Sequence, residues 1–367
     1  MRFWKIIPLA VVSLLLGGCG QFFPKPSSTP TPGSTGNYLF VANATASTIA
    51  GLSIGTSSLS AVSNSPYALG VAPSAIAVTP SGSFVYASSL GGAIYGYSVG
   101  SGGALSLLNN SDPVVSQISP VAVKVDPSGN WLIAVDLTPA AYVFSINTST
   151  GLLTAAGSVP LDPGTPNRIV FTPNNTLVYV SLGTGGVDIL TFSSSTGVLN
   201  KTNQILAPKA TVNADQGLAV DPGSKYLFVA ETGLNGVRVL SIAASGALAE
   251  LSGSPYSTGL GASGVIVDST GSYVYVANRT ANNVSGFLLS TTGALTQISG
   301  SPFSTGTNPV DLTEDTSNTY VAVACSGGTP DLQVFQIGTT TPGALNSFAT
   351  ATTGTDPTGA TAIVAAK

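Results

Sequence analysis

The chain contains no histidine among its 367 residues. That absence excludes the Ser-His-Asp and Cys-His catalytic arrangements. It also removes the side chain that most often serves as general base near neutral pH, and with it the commonest zinc ligand, which two cysteines cannot replace. Charge is scarce as well: Asp, Glu, Lys and Arg make up 7% of the sequence, so the surface must be built largely from Ser, Thr, Gly, Asn and Pro. No glycine-rich loop leads into a lysine in the manner of a nucleotide cradle. Clusters such as Gly100-Ser101-Gly102-Gly103 instead sit between strand-like runs and read as hairpin turns.

What is present begins with a leader. Arg2 and Lys5 precede an apolar run from Ile6 to Leu16, too short to span a bilayer comfortably, and small residues follow. The sequence Leu16-Gly17-Gly18-Cys19 resembles the bacterial lipobox, in which the cysteine becomes the lipidated first residue. Residues 1–18 are therefore expected to be a lipoprotein signal peptide, and Cys19 the point of attachment to a membrane. Gly20 rather than Asp follows the cysteine, which by analogy with lipoprotein sorting implies the outer membrane where one exists. Residues 19–36 are rich in Pro, Ser and Thr and read as an extended tether. With Cys19 lipidated, Cys325 stands alone and no disulfide staples the remainder. Removing Arg2 and Lys5 from 11 basic residues leaves 9 against 15 acidic ones, a net charge of −6. That balance offers no electrostatic footprint for nucleic acid.

The rest of the chain is repetitive. One apolar hexapeptide recurs as YLFVAN from Tyr38, FVYASS from Phe84, WLIAVD from Trp131, LVYVSL from Leu177, YLFVAE from Tyr226, YVYVAN from Tyr273 and YVAVAC from Tyr320. Successive copies begin 46, 47, 46, 49, 47 and 47 residues apart. Upstream of most copies lies a shorter apolar run and a turn rich in Pro, Gly, Asn and Asp, as in VKVDPSGN from Val123. Downstream lies a second hairpin, as in YVFSINTSTGLLTA from Tyr142. Units of this length holding four strands each are propeller blades set around an axis. The continuous apolar character of the hexapeptides fits strands covered on both faces. The first copy has no strand before it, and Thr358 to Lys367 resemble an innermost strand with no partner after it. The expected fold is all-β: one seven-bladed propeller over residues 37–367, closed by pairing of the C-terminal strand with the N-terminal blade.

The YVAN strand, with the polar stretch and Val-containing strand that follow it, resembles the YVTN-type propeller repeat. The whole pattern is similar to the lactonase-like propellers, a family that includes 6-phosphogluconolactonase and the fungal muconate-lactonizing cyclase. The resemblance implies a site of polar residues at the starts of innermost strands and the ends of second strands. Enzymatic members carry a histidine six residues before a turn proline, where Asn167 precedes Pro173 here, and an acidic residue at the place of Ser181 and Leu182. They carry an Arg-His pair where Gln216 and Gly217 stand, and a glutamate that Glu231 matches within one residue.

Comparison through the repeat places Asn43, Asp136, Glu231 and Asn278 at equivalent strand ends. Asn167, Arg168, Asp215, Gln216, Asn308 and Asp311 precede or begin innermost strands. All ten are expected at one channel face. Lys124 is an outlier, because its equivalents Ala77, Val170, Ala219 and Ile266 are apolar. The expected function is a binding or interaction module, monomeric and envelope-anchored, for a neutral small ligand, glycan or peptide. No cofactor, metal or nucleic acid is expected. The alternative is a lactone hydrolase without histidine. In it Glu231 or Asp136 would activate water, and Arg168 or Lys124 would hold a carboxylate or polarise a carbonyl. A metal on Asp136, Glu231 and backbone carbonyls is a variant of that alternative.

Overall fold

The structure is a computed structural model that describes residues 36–211, 216–328, 330–352 and 359–367. The expected leader, Cys19 and nearly all of the tether, together with Asp215 and Thr358, lie outside the described residues. The described chain forms seven antiparallel sheets. Their innermost strands, in blade order, are Ala360–Ala366, Pro73–Val78, Pro120–Val125, Arg168–Phe171, Gln216–Val220, Ala262–Val267 and Thr307–Glu314. The recurring hexapeptides are the second strands, and the two strands of the following hairpin complete each blade.

The ring closes as the sequence suggested. Tyr38–Asn43 pairs antiparallel with Ala360–Ala366, in a register running from Tyr38 opposite Ala366 to Asn43 opposite Ala360. Closure removes a sheet edge that would otherwise offer unpaired backbone groups.

Packing between blades explains why the hexapeptides do not alternate. In YLFVAN all six residues are buried. Tyr38, Phe40 and Ala42 pack with Ile76 and Val85 of the second blade, whereas Leu39 and Val41 pack with Val310 and Ala322 of the seventh. Each face of the strand meets a different neighbour, so both must be apolar. Burying each such aromatic or aliphatic side chain stabilises the fold by about 1.5–3 kcal/mol.

The turns between innermost and second strands share one device. The Asp126 carboxylate accepts from the backbone N–H groups of Ser128, Asn130 and Trp131 at 2.8–3.1 Å. Asp221, Asp268 and Asp315 do the same in blades five to seven. In blades two and four a threonine hydroxyl takes the place, Thr79 accepting from Phe84 N–H and Thr172 from Leu177 N–H. The D-P-S-G and T-P-S-G stretches of the sequence are thus one turn with interchangeable oxygen acceptors.

A candidate anion site in the channel

Seven innermost strands crowd around the axis, and small residues make the space between them. Gly217 shows how tight the fit is: a Cβ there would lie 2.4 Å from the Ser263 carbonyl oxygen. The position at which active relatives carry a histidine therefore has no room for any side chain. What remains open is a channel cavity of about 260 Å³, whose charged lining residues are Lys124, Arg168 and Asp311. At the end where the innermost strands begin, it widens into a mouth of about 480 Å³ lined by Asn167, Arg168, Arg279, Asn308 and Ser326, among others. A neighbouring cleft of about 620 Å³ shares Asn167 and Arg168 and is walled by Val71, Pro73, Leu90 and Val121.

Arg168 begins the innermost strand of blade four. Its backbone N–H donates to Ser181 Oγ at 2.9 Å, and its Nη2 reaches across the channel to the Val310 carbonyl at 3.4 Å. Asp311, in blade seven, accepts from Ile363 N–H at 3.1 Å. Lys124 comes from blade three and projects between them. It is open to water-sized molecules yet ringed by protein. That enclosure pushes its pKa below the ordinary lysine value; Asp311 opposes the shift and the Arg168 guanidinium adds to it. No described carboxylate lies within ion-pair distance of Lys124, Arg168 or Arg279. Arg279 Nε is buried and has no hydrogen-bond partner among the described residues.

Of the residues expected at the channel, the structure brings together Lys124, Asn167, Arg168, Asn308 and Asp311. It does not bring the four second-strand ends to them. Glu231 is fully buried, accepts from Lys209 and Ala210 N–H at 3.0 and 2.8 Å, and pairs with Arg238 at 2.8 Å. Asp136 accepts from Ser119 N–H at 3.0 Å and Thr138 N–H at 3.3 Å. Asn278 is buried and donates to Ser285 Oγ at 2.9 Å and Asn283 Oδ1 at 2.7 Å, and Asn43 is buried with Nδ2 directed to Thr48 Oγ1 at 3.5 Å. Asp136 and Glu231 bind loops of their own blades, and Asn43 and Asn278 bind residues of the strand that follows. In blades three and five the loop before the innermost strand offers N–H groups, those of Ser119, Lys209 and Ala210, and a carboxylate accepts them. The expected pairing of Asp136 with Glu231 in one site, or around one metal, is therefore corrected. Gln216 begins the innermost strand of blade five, opposite Glu231 in register.

Arg279 was missed. Alignment of the repeat points to the last residue of each hexapeptide, whereas Arg279 and Ser326, one residue further on, line the mouth. Cys325 is fully buried, and burial pushes its thiol up to about 12, so it is no nucleophile at neutral pH.

The sequence matches the family described as lactonase, 7-bladed beta-propeller, over residues 31–161, 138–261 and 250–361. The chain belongs to this family. No curated protein matches it. Among solved structures, this lactonase-family chain is similar to the periplasmic gluconolactonase of Pseudomonas aeruginosa, at 15% identity and a TM-score of 0.74, covering 90% of this chain and 99% of that one. It is also similar to a 6-phosphogluconolactonase candidate from Bacteroides uniformis (16% identity, TM-score 0.72, covering 90% and 99%) and to a protein from Lactobacillus plantarum (20%, 0.71, covering 90% and 99%). At these identities the likeness shows the fold alone.

Proposed function

We propose that this lactonase-family propeller binds a small carboxylate-bearing molecule in its channel, as an envelope-tethered binding module. The observation that carries the reading is the meeting of Lys124 and Arg168 in one narrow cavity, with no described carboxylate paired to either. A guanidinium holds a carboxylate through charge-assisted, often bidentate hydrogen bonds, and low-dielectric walls strengthen that attraction. The expectation of a neutral ligand set four carboxylates, Asp136, Asp215, Glu231 and Asp311, against Arg168 and Lys124 at the channel face. Asp136 and Glu231 are engaged elsewhere, which leaves Asp311 as the one described carboxylate lining the channel cavity. Arg279 at the mouth moves the balance further toward cations.

A second reading, lactone hydrolysis, is favoured by family membership. Hydrolysis of a lactone yields a hydroxy acid, whose carboxylate suits the same cations. Asp311 is the one described carboxylate lining the channel cavity and would have to activate the water.

Matched sets of sugar acid, lactone and neutral sugar separate these readings. Binding to the folded state raises the melting temperature. The acid alone should raise it if the module reading holds. Lactone turnover above the spontaneous rate, lost in Asp311→Asn, establishes the hydrolase instead. A response to the neutral sugar alone contradicts both. The leader motif supports an extracytoplasmic, lipid-anchored location, and Cys19→Ser should release the protein from the membrane fraction. Retention of that variant in the pellet counts against the anchor.

A further inference from the structure

Lys124 has a second property that anion binding does not use. Its side chain is exposed within the narrow channel cavity, so small molecules can reach the amine while the innermost strands of the other blades surround it. A guanidinium stands on the neighbouring innermost strand, that of blade four, and no described carboxylate is close enough to form an ion pair. Desolvation and a neighbouring cation are the two conditions under which a lysine becomes a nucleophile near neutral pH, and the direction of its pKa agrees. The other described lysines stand differently. Lys201 pairs with Asp162 at 2.5 Å and Lys209 with Glu250 at 2.8 Å, while Lys225 and Lys367 stand outside the channel cavity.

We propose that Lys124 forms an imine with small oxo acids, its amine on the ketone carbon and Arg168 on the carboxylate. This deepens the carboxylate reading and rests on it for the oxo acid's orientation, but not for the reactivity of the amine. The nitrogen lone pair adds to the carbonyl carbon. One amine proton passes from nitrogen to the former carbonyl oxygen, and the second amine proton follows as the C=N bond forms and that oxygen leaves as water. No oxidant or reductant is consumed. Asp311 lines the same cavity and is placed to carry the proton that the departing oxygen needs.

The test is reductive trapping. The full-length protein is incubated with pyruvate and sodium cyanoborohydride, which delivers a hydride to the imine carbon. Peptide mapping then measures N-carboxyethylation at every lysine. Lys124 should be labelled in several-fold excess over Lys225, and its labelling should persist at a lower pH than that of Lys225. Labelling no greater at Lys124 than at Lys225 overturns the proposal. This comparison is made within the wild-type chain and does not depend on a variant that folds. A parallel reaction with acetone, which has no carboxylate, separates the two claims. Preferential labelling of Lys124 by acetone with no gain from pyruvate keeps the reactive amine and overturns its oxo-acid specificity, and with it the carboxylate reading. In Arg168→Gln, labelling by pyruvate should fall further than labelling by acetone, because acetone loses only the neighbouring cation whereas pyruvate also loses the partner of its carboxylate.

Discussion

Glu231 and Arg238 meet inside blade five, with Arg238 Nη1 2.8 Å from Glu231 Oε1 and neither side chain more than 5% exposed. Arg238 also reaches Glu250 at 3.1 Å, and Lys209 joins Glu250 at 2.8 Å. Removing a carboxylate this deep leaves the buried Arg238 guanidinium with only the more exposed Glu250 as its ionic partner. Glu231→Gln is therefore expected to cost about 3 kcal/mol of stability while leaving channel binding intact. Urea unfolding measures the first and titration with a sugar acid the second. A stable variant that has lost binding would place Glu231 in the site after all.

The turn acceptors make a graded prediction. Asp268 accepts from the backbone N–H groups of Thr270, Ser272 and Tyr273. Asp268→Ala leaves those donors without their acceptor and should cost about 2 kcal/mol. Asp268→Thr should cost less, because Thr79 and Thr172 fill the equivalent place in two other blades. Equal losses in the two variants would mean that the turns are not interchangeable.

Asp188, in blade four, is fully buried, and burial pushes its pKa up to about 6, with the Asp162 carboxyl adding to the rise. Its Oδ2 accepts from Asp162 N–H at 2.9 Å, while its Oδ1 has no partner among the described residues. A carboxyl whose folded pKa lies above its unfolded value of 3.8 binds protons more readily in the folded chain. Its contribution to stability is complete below 3.8 and is lost as pH rises through about 6. Asp188→Asn should therefore be more stable than wild type at pH 7 and lose that advantage toward pH 4. Thermal melts across this range check it, and a constant difference between the two proteins would contradict it.

The fold was legible because seven copies of one hexapeptide leave few architectures open, and the missing first strand had its counterpart at the other end of the chain. Part of the site was legible for the same reason. Lys124 stood out only because its equivalents Ala77, Val170, Ala219 and Ile266 define an apolar position. The repeat could not give the direction of the second-strand ends. Asp136 and Glu231 occupy the right register, but the chain turns there and directs them into loops that lack hydrogen-bond partners, a demand set by backbone geometry rather than by residue type. The same turn brings Arg279, one position later, to the mouth. Sequence alone counted four carboxylates on the channel face; the structure retains Asp311, moves Asp136 and Glu231 away from it, and leaves Asp215 undescribed.

The central claim is that Arg168 makes this channel an anion site, and isothermal titration of D-gluconate into wild type and Arg168→Gln tests it most directly. Arg168 bonds through its backbone to Ser181 and through a long contact to Val310, so the variant should fold, which its melting temperature will check. Gluconate should bind wild type, with affinity falling as salt is added, and binding should be lost in the variant while neither protein binds D-glucose. Equal gluconate affinity in both proteins, or binding of glucose as strong as that of gluconate, would contradict it.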